Sequence, residues 1–149
     1  TDRIGATGEK MELGYYEQVS APAVFAYVHP GNKLAAIVGF NKEDADSEVM
    51  KDIAMQVAAM NPVAITADGI SEEIKEAEKK IAREKAIEGG KPEHILDRIA
   101  EGALQKFFKE STLMQQDYVK DSKLTIEEYL KQNDKDLNVT DFKRVTLNV

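Results

Sequence analysis

At Ser71 the chain changes character, and that change limits its possible folds more than any other feature. From Ser71 to Glu88 the residues are mostly Glu, Lys, Ala and Arg, with Ile74, Ala77 and Ile81 as a thin apolar seam. Ser71 suits a helix N-cap, and Glu72 and Glu73 stand where the helix dipole favours negative charge. Gly89-Gly90 stops this helix. Pro92 opens another, where its missing N–H costs nothing. The second helix sets Ile95, Ile99, Ala103 and Phe107 on one line, with Leu96, Ala100, Leu104 and Phe108 beside it. Two helices joined by so short a connection pack antiparallel. The first arm is roughly 27 Å long at 1.5 Å per residue, and Glu76 is placed to pair with Lys80 four residues on. A seam this narrow cannot hold the arm inside a core. The expectation is a projecting antiparallel helical hairpin, with Ile74, Ile81, Ile95, Ile99 and Phe107 as its own seam.

The flanks have other periods. Met11, Leu13 and Tyr15 alternate with Glu12, Gly14 and Tyr16, as in a half-buried strand. Further strands are expected over Val24 to Val28 and Leu34 to Phe40, joined by His29-Pro30-Gly31-Asn32. There proline presets the second turn position and glycine accepts the positive φ that a type II turn needs at the third. Val49, Ile53, Val57 and Met60 then recur at helical spacing, a stripe that lies flat on the sheet, until Asn61-Pro62 ends it. After Ser111 periodicity fades. Thr125 and Glu128 make a capping box for a short helix, Ile126 to Lys131. Val145, Leu147 and Val149 alternate as a last strand, with Leu137, Val139 and Phe142 leading in. The reading is α+β: an antiparallel three- to four-stranded sheet packed on helices, with the projecting hairpin. Its parts are 1–68 (sheet and helix of the core), 69–110 (helical, coiled-coil hairpin) and 111–149 (return to the core).

No chemistry emerges from the motifs. Asp44-x-Asp46-x-Glu48 and Asp134-x-Asp136-x-Asn138 have acidic spacing, but Val49 and Val139 stand where a calcium loop needs glycine. Both strings read better as cap and turn residues. Gly5-Ala6-Thr7-Gly8-Glu9-Lys10 is not a phosphate loop, since its glycines are wrongly spaced and no Ser or Thr follows Lys10. His29 and His94 have no cysteine to join them as zinc ligands. No cofactor, metal or catalytic residue is therefore assigned, and the chain is read as a non-enzyme. Net charge is −7 without a pronounced basic stripe, which argues against a nucleic-acid partner. No apolar run approaches the roughly 20 residues that span a bilayer. The lack of cysteine fits a cytoplasmic setting. The missing initial methionine reads as a chain that begins mid-protein.

One set of motifs resembles a known family. Gly90-Lys91-Pro92-Glu93 leads into Glu101-Gly102-Ala103-Leu104-Gln105-Lys106-Phe107-Phe108, followed by Leu113, Gln116, Tyr118-Val119, Asp121 and Thr125-Ile126. Upstream stand Gly8-Glu9, Tyr27-x-His29-x-Gly31-x-Lys33 and Asp52-Ile53-Ala54-Met55-Gln56-Val57-Ala58-Ala59. In order and spacing these resemble bacterial elongation factor Ts, over nearly the whole chain. Ala103 stands where the family usually has arginine, Asp117 where it often has proline, and Lys10-Met11 replaces its usual Asn-Ile.

The resemblance implies a guanine-nucleotide exchange factor that promotes GDP release from elongation factor Tu. The family's N-terminal helical domain and its T-D-F-V-bearing subdomain have no counterpart, since Thr1-Asp2-Arg3-Ile4 is not that motif. What corresponds is the C-terminal core subdomain with the hairpin. The fragment is expected to bind elongation factor Tu, in its GDP and nucleotide-free forms, through the turn residues His29, Gly31, Asn32 and Lys33, without supplying the exchange wedge. Gly31 has the plainer reading that only its backbone angle is needed. The competing reading is a self-associating module, a homodimer formed through an exposed sheet edge.

Overall fold

The computed structural model describes residues 2–147, and its sheet grows from the expected turn. Strand β1 (Ala23–Val28) alternates half-buried Ala23, Phe25 and Tyr27 with exposed Val24, Ala26 and Val28. Strand β2 (Leu34–Phe40) pairs antiparallel with β1 on one side, Tyr27 opposite Ala36. On its other side lies the last strand, Val139–Thr146, with Ala36 opposite Arg144 and a register shift at Gly39/Phe40.

Helix α2 (Ser47–Met60) covers the inner face of this sheet. Val49, Ile53, Ala54, Val57 and Ala58 of the helix share one core with Ala36, Val38 and Phe40. Full burial of side chains such as Ile53 and Phe40 contributes on the order of 1.5–3 kcal/mol each. Asp46 starts the helix by accepting from the Glu48 and Val49 amides. Asn61, at φ +45°, ends it by donating its N–H to the Val57 carbonyl. Arg144 reaches from the last strand to donate to the Ala58 carbonyl at 3.0 Å, satisfying one of the helix's orphan acceptors. The Asp44–Glu48 string is thus a helix start, as its residues suggest.

The hairpin consists of α3 (Glu72–Glu88) and α4 (Leu96–Ser111). Ser71 caps α3, accepting from the Ile74 amide. Lys79 pairs with Glu101 at 3.3 Å and Arg83 with Asp97 at 2.9 Å. Four residues forward on one helix match four back on the other, which is antiparallel register. The seam differs from the expected one. Ala86, Ala100, Leu104 and Phe108 are buried, whereas Ile74 and Ile81 are 45% and 44% exposed. Lys75 and Lys79 turn toward α4 instead, with side chains only 19% and 25% exposed. Their aliphatic stems cover the partner helix while their charges stay wet, and the Lys75 ammonium lies 6.0 Å from the centre of the Phe108 ring. A polarity count misses this, because long cations serve as seam residues. The expected Glu76–Lys80 pair is also replaced: Glu76 meets Lys79, and Lys80 meets Glu84. A small second core of Ala64, Ile70, Leu104 and Phe108 seats the base of the hairpin.

The stretch after Ser111 that lacks periodicity is ordered. It holds a helical turn, Leu113–Gln115, and a two-stranded ladder of β3 (Asp117–Tyr118) and β4 (Asp121–Thr125). Helix α5 (Ile126–Asn133) follows on the expected Thr125/Glu128 capping box. Strand β5 is the Val139–Thr146 segment already met; Leu147 lies just past it, and Val149 falls outside the described residues.

The N-terminal segment overturns an expectation. Asp2–Thr7 forms a short helix, α1, with no buried residue. The expected strand of Met11, Leu13 and Tyr15 is irregular, with Leu13 84% and Tyr16 80% exposed. Both edges of β2 are taken by β1 and β5, so the segment crosses the outer sheet face rather than joining a ladder through β2. Val19 and Ala21 press onto Gly39, where any Cβ would stand 2.8 Å from each.

Candidate functional site

The β1–β2 turn carries the candidate contact residues on a rigid base. The His29 amide donates to the Leu34 carbonyl at 2.8 Å, closing the ladder. The Asn32 amide donates to the His29 carbonyl at 3.0 Å, closing the turn. Gly31 sits at φ +94° as the third residue and Asn32 at φ +57°. The first is the value a type II turn demands there, and asparagine is among the few side chains that tolerate the second. The Leu147 amide donates to the Lys33 carbonyl at 2.7 Å and ties the turn to the strand behind it.

His29, Gly31, Asn32 and Lys33 are all exposed and adjacent. Among the described residues the Lys33 ammonium makes no ion pair. Gly31 has open space around it, so its backbone angle alone accounts for the residue. The turn offers an ammonium, a carboxamide and an imidazole on a protruding edge, which can bond to carbonyls and carboxylates of another protein. Asn32 and Lys33 also line one side of a groove of about 280 Å³ that Leu13, Tyr15 and Leu147 help to close; His29 and Gly31 are not among its lining residues. His94 lies on a different element, the helical turn Glu93–Ile95 between the two hairpin helices.

The deeper polar groups are committed to the fold. Asp134 pairs with Lys42 and accepts from the Asp136 amide. The Asp52 carboxylate accepts from Tyr118 Oη at 2.9 Å, Tyr129 Oη at 2.8 Å and the Lys120 ammonium. Burial pulls its pKa up, but the Lys120 bond and the two phenol bonds outweigh that and hold it below the usual carboxylate range. A groove of about 310 Å³ is lined in part by Ile65, Met114, Leu130, Leu137 and Val139.

The model of the family described as "Elongation factor TS" matches residues 1–148. The chain belongs to the elongation factor Ts family. Elongation factor Ts of Porphyromonas gingivalis is 60% identical over 148 residues, which cover 99% of this chain and 54% of that protein. That of Azobacteroides pseudotrichonymphae is 58% identical over 149 residues, covering 100% and 54%. That of Nitratidesulfovibrio vulgaris is 39% identical over 160 residues, covering 98% and 56%. The chain spans about half the length of the curated relatives it matches.

Two features carry little signal in the sequence. Tyr27 was quoted only as a motif letter, yet its hydroxyl bonds His29; the signal was its place two residues away on the same strand face. Thr140-Asp141-Phe142-Lys143 carries three letters of the family's T-D-F-V string. It lies within β5, where Asp141 accepts from its neighbour's amide and Phe142 packs on the core, so it is a strand and no exposed wedge.

Proposed function

We propose that this chain supplies a binding surface for elongation factor Tu in the exchange of guanine nucleotides during protein synthesis, acting in the cytoplasm and without covalent chemistry. The observation that carries this reading is the family's Tyr-x-His-x-Gly-x-Lys string on an exposed, rigidly closed turn. Binding of the nucleotide-free partner in preference to its GDP form must weaken GDP by the same coupling energy, because linkage is reciprocal. The 149 residues hold no T-D-F-V string, so only part of that coupling is available to them. The core and its hairpin, 69–110, act here as a docking body, needing neither nucleic acid nor membrane.

The test is release of fluorescent GDP from elongation factor Tu, with pull-down of its GDP and nucleotide-free forms. Binding with little acceleration is the expected result; full acceleration refutes the division of labour, and no binding in either state refutes the partner. His29→Ala with Lys33→Ala should weaken binding about tenfold, as the loss of a charged and a neutral hydrogen bond predicts. Thermal stability should stay nearly unchanged. A fall in stability to match would make the turn structural instead.

A second reading has one observation behind it. Among the described residues β1 pairs only with β2, which leaves its other edge open there, and Val24 and Val28 on this strand are 43% and 56% exposed. An open edge invites a second copy. Sedimentation of the isolated chain separates a homodimer from a monomeric binder.

A further inference from the structure

Tyr27 and His29 leave the same face of β1 and its continuation. The Tyr27 hydroxyl lies 3.0 Å from His29 Nδ1, and the rings meet edge-on, 6.1 Å between centroids at 60°. Tyr27 is half-buried and its ring packs on the main core, whereas His29 is exposed. A fixed ring therefore holds a free one. A phenol O–H is a strong donor, while its oxygen, with lone-pair density drawn into the ring, accepts poorly. An unprotonated imidazole nitrogen accepts well. The bond therefore runs from Tyr27 Oη–H to Nδ1, which leaves the proton of the neutral ring on Nε2.

We propose that Tyr27 is a positioning residue: it locks His29 in one rotamer and in the Nε2–H tautomer, so that a single N–H donor is presented to a carbonyl or carboxylate on the bound protein. This rests on the reading that the β1–β2 turn is the binding surface. A ring already held gives up less freedom on binding, which is the general advantage of preorganisation. Tyr27 itself need not touch the partner.

The lock is tested without any partner, by ¹⁵N NMR of the histidine rings in this chain at a pH where they are neutral. His29 should show one acceptor-type nitrogen, Nδ1, and one protonated nitrogen, Nε2. Tyr27→Phe keeps the packed ring and removes only the hydroxyl, so the two signals should move toward each other as tautomers interchange. Averaged signals in the unsubstituted chain, or a proton on Nδ1, overturn the proposal. Presentation is tested by a double-mutant cycle on affinity for elongation factor Tu. Tyr27→Phe should weaken binding about fivefold, and should have no further effect once His29 is alanine. An equal effect in both backgrounds overturns the proposal, since Tyr27 would then act on its own. If His29→Ala leaves affinity unchanged, the binding-turn reading and the presentation fall together, while the NMR signals still report whether the lock exists.

Discussion

Gln56→Leu should lower the unfolding free energy by about 2–3 kcal/mol and Tm by roughly 4–12 °C, although leucine nearly matches the side chain in size. Gln56 sits on α2 among apolar neighbours, with no exposed surface. Its Oε1 accepts from the Val119 amide at 2.9 Å. Its Nε2 donates to the Asp117 carbonyl at 3.1 Å and to Gln116 Oε1 at 3.3 Å. Gln116, 1% exposed, passes the network on by donating to the Glu110 carbonyl at 2.9 Å, while its own carbonyl accepts from the Ile126 amide at 3.0 Å. Two amide side chains thus join α2 to the β3–β4 ladder that follows the hairpin. Leucine leaves those groups in place without partners, and an unmade buried hydrogen bond costs more than a made one contributes. Lys51→Ala, on an exposed position of the same helix, should change stability by under about 0.5 kcal/mol. Chemical denaturation of both variants is the measurement; equal effects would show that helix propensity, not the amide network, was being read.

Gln56 also marks the limit of what the sequence discloses. The period of Val49, Ile53 and Val57 placed α2 on the sheet correctly, because burial of a stripe depends on spacing alone. Gln56 carries no such signal: its value lies in Gln116, 60 residues away. The β1–β2 turn was legible because proline, glycine and asparagine each fix a backbone angle locally. Capping at Ser71 and Thr125 was legible for the same reason. The strand expected at Met11–Tyr15 failed because alternation states a preference for pairing but not whether a sheet edge is free to accept it. The hairpin seam failed differently, since Lys75 and Lys79 bury methylenes that their charge conceals. The Tyr27–His29 bond lay between the two, visible in the i, i+2 spacing once β1 is known to run straight into the turn.

Asp52→Ala should cost about 3 kcal/mol at neutral pH, because it removes an acceptor shared by two phenols and an ammonium. The carboxylate is 13% exposed, and Tyr118 and Tyr129 stack beneath it with centroids 4.3 Å apart. It fastens α2 to both the β3–β4 ladder and α5, adding to the apolar core and the Gln56 bonds that already join them. Its pH dependence separates this role from simple packing. Asp52 is held below the ordinary carboxylate range by bonds that outweigh burial, so its contribution is present above the unfolded value of about 4 and is lost as pH falls through the folded one. Tyr118 and Tyr129 are raised, first by burial and then by the Asp52 bond. Their contribution is full below the unfolded value of about 10 and is lost as pH climbs through the folded ones. The stability difference between the unsubstituted chain and Asp52→Ala should therefore be flat from about pH 5 to 9 and narrow beyond both ends. Denaturation curves across that span decide it. A difference that stays constant from pH 3 to 11 would mean that Asp52 acts by filling space, and that the charge itself contributes nothing to the join.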